Sequence, residues 1–468
     1  MNRVAFYLGL ILSVSLFFQC TEIDQETKKW AQADSILKHI QPPEFPDQTF
    51  NIKDYGAVGD GSTMNTGAIK AAINACNKAG GGKVLVPEGK YLTGPIHLKS
   101  NINLHVDQNA VLLFSTHPDD YLPTVLTRWE GVDLYNYSPF IYAYEKENIA
   151  ITGKGTLHGQ ATKDNWWIWK GRTEYGWEEG MPSQSDSSGR PTLMSYEQNQ
   201  TPIDQRKMGK GHYLRPQFIN LYKCSNILIS DITIKDSPFW IVHPLMSENI
   251  TVRNIHVNSH GPNNDGCNPE SCKNVLIENC FFNTGDDCIA IKSGRNNDGR
   301  KWDIPSQNII VRDCKMENGH GGVVMGSEIS GGCNNIFVEN CVMDSPELER
   351  AIRIKTNSKR GGVVEDLYVR NVEVGQVAEA AVKINCSYES SEGKGNYLPT
   401  VRNIYINNMT CQTTERALYL RGIENKDCVY DIYIRNTRFK TVEKENLIKD
   451  VRGIHLENVY QNGEKMEL

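Results

Sequence analysis

Two aspartates, Asp286 and Asp287, stand side by side in the stretch NTGDDCIAIKSG, directly ahead of a short alternating run. Carboxylates held this close repel, and the repulsion raises the proton affinity of one of them. One member then stays protonated while its neighbour stays ionised. Such a set can serve as acid and base at once, the division of labour that cleavage of a glycosidic bond requires. A bare Gly-Asp-Asp is also a common solvated bend. The elements around it decide between the two.

Those elements repeat. NILIS from Asn226, NITVR from Asn249, NVLIE from Asn274, NIIVR from Asn308 and NIFVE from Asn335 are followed by DLYVR from Asp366, NIYIN from Asn403 and DIYIR from Asp431. Their starts are 23, 25, 34, 27, 31, 37 and 28 residues apart. Each phrase has the two-residue period of a strand with one buried face, and each is followed by a second short run such as IAIK, VVMG, IRIK, VKIN or LYLR. Short strands at this spacing, with almost no helical pattern between them, predict a solenoid. A parallel β-helix fits best, since a propeller needs hairpin turns that are scarce here. Earlier coils are expected at NINLHV from Asn101 and NIAITGKGTLHG from Asn148. Residues 66 to 79 form the one clear amphipathic helix, with Ile69, Ala72, Ile73 and Cys76 on one face. Asn65 is its expected cap, Gly80–Gly82 end it, and it should close the first rung.

Coil register turns spacing into geometry. A shift of 22 lays Asp265 over Asp287 and Asn264 over Asp286. The next coil aligns without gaps and places His320 over Asp286 and Gly321 over Asp287. Aligning IRIK on IAIK turns Ile352 and Ile354 inward, Arg353 and Lys355 outward, and puts Lys355 in the column of Lys292. With rungs about 4.8 Å apart, Asp265, Asp286, Asp287, His320, Arg353 and Lys355 share one patch. Taken singly, each is an ordinary turn or surface residue. Together they form carboxylates suited to acid–base work beside cations suited to clamping a substrate carboxylate.

Length and composition set bounds around this. The 468 residues allow one large domain or several smaller ones, and a net charge of −6 argues against a general nucleic-acid binder. Residues 1 to 19 read as an export signal, with Arg3 followed by an apolar run from Val4 to Phe18. The run ends at Cys20 and a polar TEIDQETKK, which resembles a bacterial lipoprotein signal with Cys20 as the lipidated residue. Gln19 stands where a small residue is expected, and plain secretion is the alternative. The expected location is therefore periplasmic or anchored at the outer membrane, with the membrane met only through that lipid. Residues 21 to 47 read as a tether. Thirteen cysteines invite a disulfide framework, but Cys280, Cys314 and Cys341 each fall six residues after a phrase-opening Asn. That placement suits a buried ladder of free thiols. Cys267 and Cys272 could pair; spacing does not tell. Residues 161 to 215 interrupt the coils with Trp166, Trp167, Trp169 and Trp177. These rings either stack on sugars at a cleft or pin the loop to the wall.

Asn263-Asn264-Asp265, Gly285-Asp286-Asp287, Gly319-His320-Gly321 and Arg353-Ile354-Lys355 resemble the four motifs of glycoside hydrolase family 28, the polygalacturonase family, in the family's order. The resemblance covers roughly residues 48 to 468, with Asn264 where Thr is usual. It implies an all-β, single-stranded, right-handed parallel β-helix that hydrolyses α-1,4-linked galacturonic acid with inversion, its partner being a pectic polysaccharide. By position, Asp286 would be the general acid, Asp265 and Asp287 would hold the water, and His320 would support the acid's protonation. Asn263, Arg353, Lys355 and Lys292 would bind substrate. Tyr388 resembles a subsite tyrosine, though a wall residue would look the same. No metal or cofactor is implied, and a monomer is expected. The segments GDDCIAIKSGRNNDGRKWDIPSQN and SPFWIVHP resemble bacterial exo-acting members. A rhamnogalacturonan substrate stays open. So do a calcium-dependent lyase, for which the three aspartates would be the cation site, and a non-catalytic glycan-binding β-helix.

Overall fold

The computed structural model describes residues 28–389 and 393–467; Cys20 and the leader lie outside them. Its backbone winds as a parallel β-helix in the right-handed sense expected of parallel crossovers. Three parallel sheets run along the axis. One holds the repeat phrases, among them Ser225–Ser230, Glu248–Arg253, Lys273–Glu278, Ser306–Arg312 and Cys333–Glu339. A second holds the short strands after them, such as Phe281–Thr284. The third carries Val242–Leu245, Ile289–Ile291, Val323–Gly326 and Arg350–Lys355. Val363–Asn385 and Thr400–Arg421 turn the corners without a break and run through all three.

The recurring Asn has a backbone cause. Asn226, Asn249, Asn274, Asn308 and Asn335 all adopt left-handed φ values between 52 and 57°, a conformation that Asn tolerates better than most residues. Each also passes an amide hydrogen bond to the Asn one coil earlier, at 3.0 to 3.3 Å. The same residue thus turns the chain and locks adjacent coils in register. Inside, Ile and Val of the phrases stack with the cysteines. All twelve cysteines of the described residues are free and buried, so the expected thiol ladder at Cys280, Cys314 and Cys341 is present and Cys267 and Cys272 remain unpaired.

The helix Thr66–Lys78 buries Ile69, Ala72, Ile73 and Cys76 over the first rung. Asn65 does not cap it through its side chain. Its carboxamide instead accepts from Val58 N at 2.7 Å and donates to Thr63 O at 2.6 Å, pinning the loop that leads in.

The expected tether over 21–47 is corrected over 28–39, because those residues form a helix docked on the solenoid wall. Trp30, Ala33, Ile36 and Ile40 pack on Leu276, Ile310, Phe337 and Tyr368. These four wall residues occupy one outward column of the first sheet. Trp30 meets Phe337 edge-on at 5.3 Å, the Arg370 guanidinium lies 3.7 Å from its ring centre, and Lys29 pairs with Asp366 at 3.2 Å. An apolar column left in water is costly, and the helix covers it. Among the described residues no helix is long and apolar enough to cross a membrane. Trp30→Ala should lower unfolding free energy by roughly 3 kcal/mol while leaving catalytic turnover intact, as chemical denaturation alongside an activity assay would read.

Candidate active site

The predicted register is the observed one. Cys267 bridges Ile289 and Glu270 bridges Lys292, a shift of 22, and Gly266 N donates to Asp287 O at 3.0 Å. Lys292, Gly326 and Lys355 share a column. Oxygens of Asp265, Asp286 and Asp287 come within 4.8 Å of one another.

Each carboxylate has its own cation. Asp287, fully buried, accepts from Lys355 Nζ at 2.6 Å and Arg353 Nη1 at 3.2 Å. Asp265 lies 3.4 Å from Lys292 Nζ, which also meets Glu328 at 3.1 Å and sits 4.5 Å from the Trp240 ring centre. Asp286 Oδ1 is 3.1 Å from His320 Nδ1 and accepts from Asp287 N at 2.9 Å. Its side chain is 15% exposed, against 4% for Asp265 and none for Asp287, so it opens furthest into the cleft. Gly319 makes the His320 turn possible. Its φ is 138°, and a Cβ there would stand 2.3 Å from Asp286 O.

The environments drive the three apart. Burial raises the proton affinity of Asp265 well above the usual carboxylate range, and the neighbouring charge of Asp286 raises it further, with Lys292 opposing. Burial pushes Asp286 the same way, but the His320 charge and hydrogen bond overcome it and hold the group low. Lys355 and Arg353 likewise hold Asp287 low against its burial. His320 is in turn pushed up to about 9, chiefly by Asp286. Asp265 and His320 are thus the two groups whose surroundings favour the protonated form.

A cavity of about 520 Å³ opens over this cluster. Tyr388 lines it, with the Arg353 and Lys355 cations each 5.5 Å from its ring centre. Asn263 lines it too, but its Oδ1 already accepts from Lys170 Nζ at 2.8 Å and Arg215 Nη2 at 2.9 Å. Asn264 turns inward, accepting from Ser259 Oγ and Gly261 N, so it shapes the loop and does not face substrate. Every residue expected at the site thus falls at the cleft or directly behind it, except Cys20, which lies outside the described residues.

Sequence reasoning missed the rest of the wall. Glu130 comes from the turn of the hairpin joining Val125–Trp129 to Val132–Asn136, and Arg295 precedes the helix Asn296–Trp302. Lys170, Tyr175, Gln184 and Arg190 come from the 161–215 insertion. That insertion is folded, with a short helix at Trp166–Lys170 and another at Arg190–Gln198. Trp166 is buried, Trp167 Nε1 donates to Ser237 O at 2.9 Å, and Trp169 packs edge-on to Trp166 at 5.0 Å. Three of the four tryptophans pin the insertion to the wall, and its polar side chains face the cavity. The WWIWK cluster beside a lone lysine was the available signal.

Residues 186–461 match the family described as Glycosyl hydrolases family 28, and residues 49–114 match Rhamnogalacturonase A/epimerase, pectate lyase-like. The chain belongs to glycoside hydrolase family 28. A probable polygalacturonase of Vitis vinifera is 31% identical over 424 residues, covering 86% of this chain and 77% of that protein. An exo-poly-alpha-D-galacturonosidase of Dickeya chrysanthemi is 29% identical over 414 residues, covering 83% of this chain and 66% of that one. The crystal structure of a hyperthermoactive exopolygalacturonase from Thermotoga maritima has a TM-score of 0.89 and 45% identity, covering 93% of this chain and 96% of that one. This family 28 protein is a glycoside hydrolase.

The Asp286–His320 pair gives a direct test. Replacing Asp286 by Asn removes the anion that stabilises the imidazolium, so the His320 titration measured by NMR should fall from about 9 toward the ordinary 6.5. Because the folded His320 value lies above the unfolded one, its contribution to stability is complete below about pH 6.5, while Asp286 stays ionised, and vanishes as pH rises through about 9. Asp286→Asn should flatten that part of the stability profile.

Proposed function

We propose that this hydrolase releases galacturonate from the ends of α-1,4-linked galacturonan chains, with inversion at the anomeric carbon. The observation that carries the reading is the carboxylate cluster set in a cavity whose wall the insertion helps to build. Lys355 and Tyr388 line the same cavity, with Arg353 beside the Tyr388 ring, and this charge suits a uronate chain. The likeness at 45% identity to an exopolygalacturonase supports the same substrate and the same end-wise action.

Asp286 is the acid in this scheme, protonating the glycosidic oxygen, while Asp265 and Asp287 hold the attacking water. Substrate entry displaces solvent from Asp286 and brings a uronate charge beside it. Both raise its affinity for a proton, and His320 holds one within 3.1 Å. The three carboxylates titrate as one set. A proton on Asp265 can therefore pass to Asp286, leaving Asp286 loaded as the acid and Asp265 ionised as the base, a form that Lys292 favours. The Asp oxygens approach one another more closely than the carboxyl separation of roughly 6.5–9.5 Å usual for inverting enzymes. Inversion therefore rests on the family motifs and on three carboxylates sharing the work. Export through residues 1–19 and lipidation at Cys20 belong to the same proposal, which palmitate labelling of wild type against Cys20→Ser would test.

Digestion of defined oligogalacturonides should yield monomer from the first minutes; mixed oligomers would overturn end-wise action. Proton NMR of the first product should show the β-anomer, and an α-anomer would overturn inversion. Asp286→Asn should lower kcat roughly 100- to 10,000-fold while substrate binding persists. Activity should survive a chelator without any product that absorbs ultraviolet light; a chelator-sensitive, absorbing product would mean a lyase. Release only from rhamnogalacturonan oligosaccharides would move the substrate.

A further inference from the structure

Every carboxylate facing the cavity has a cation in range. Asp286 has His320, Asp287 has Arg353 and Lys355, Asp265 and Glu328 share Lys292, Glu130 has Arg190 at 2.7 Å, and Glu389 has Arg360 at 3.0 Å. The converse fails where the insertion lines the cavity. There Lys170 Nζ donates to the neutral Oδ1 of Asn263 at 2.8 Å. Arg215 Nη2 donates to the same oxygen at 2.9 Å and to Gln184 Oε1 at 3.0 Å. Its Nη1 donates to the carbonyls of Pro238 and Pro262 at 2.8 and 2.6 Å. Arg215 is fully buried and its Nε has no acceptor. Among the described residues neither cation forms an ion pair, and Glu130 and Asp286 act on both only through space.

Two cations placed together behind a wall of neutral acceptors are costly, because burial strips their water and nothing replaces it with opposite charge. Burial and the adjacent Arg215 push Lys170 down to about 8. A single carboxylate at position 184 or 263 would relieve the strain, and the chain has Gln184 and Asn263 there. The excess positive charge is instead presented at the cavity wall by Lys170.

We propose that Lys170, steadied by Asn263 and backed by Arg215, is the receptor for the carboxylate of the terminal sugar, which supplies the missing counter-charge. This rests on the galacturonan reading. The order of the coils fits it, since Asn263 and Lys170 lie on one side of Asp286 and the Arg353–Lys355 pair on the other. A glycosidic bond over Asp286 would then be flanked by one receptor for each sugar's carboxylate. A neutral or methyl-esterified terminal sugar would leave Lys170 uncompensated, so the free acid is selected at the chain end.

Lys170→Gln keeps a donor toward Asn263 and removes only the charge. It should raise KM for digalacturonate roughly tenfold to a hundredfold with a smaller change in kcat, and Lys170→Arg should recover most of the loss. Lys170→Met provides a second charge-free variant if the amide disturbs folding. Calorimetric titration of the Asp286→Asn protein with galacturonate, against galactose, separates the two claims. Galacturonate binding that weakens with Lys170→Gln while galactose binding stays unchanged supports the receptor, even if the wild type hydrolyses no galacturonan. Unchanged KM together with unchanged galacturonate binding overturns it.

Discussion

The hydrogen-bonded register between neighbouring coils is the constraint on which the rest of the molecule depends. Asp265, Asp287 and Arg353 are 22 and 66 residues apart in sequence, yet they meet because each parallel rung repeats at about 4.8 Å. A slip of one residue would turn each outward side chain inward and break up the cleft. The Asn ladder opposes such slips twice over, through its left-handed turn and through amide bonds from coil to coil. Structural repetition along one edge of the solenoid thus serves the chemistry on another.

On that frame the site is an arrangement of matched charges. Carboxylates packed within 4.8 Å of one another would be untenable unaided, and His320, Lys292, Arg353 and Lys355 make the cluster possible from the same rung and the two that follow it. Their matching is uneven, and the unevenness is useful. Asp287 has two close cations, Asp265 one at 3.4 Å, and Asp286 a histidine that titrates. One cluster therefore holds groups of very different proton affinity, as acid–base catalysis needs. The insertion carries the opposite imbalance, positive charge at the cavity wall without an ion-pair partner.

Much of this was legible beforehand. The repeat phrases, the coil shift of 22, the convergence of Asp265, Asp286, Asp287, His320, Arg353 and Lys355, and the capping helix all follow from spacing. The docked helix over 28–39 was missed although Trp30, Ala33, Ile36 and Ile40 recur at helical intervals. Its partner signal was present too. Leu276, Ile310, Phe337 and Tyr368 stand at outward positions where a solvated phrase would carry polar residues. Asn65 was read as a helix cap because of its type and place, whereas its carboxamide had better partners in the preceding loop.

By itself the sequence determined the coil, its register and the motif cluster, because these depend on local periodicity and on fixed rung spacing. The tertiary structure alone decided which carboxylate is held low and which high, since that depends on burial and on cations reaching across rungs by fractions of an ångström. It also decided what lines the rest of the cleft. Lys170, Glu130 and Arg295 come from an insertion, a hairpin and a short helix with no repeat to align, and only packing against the wall sets where such segments point.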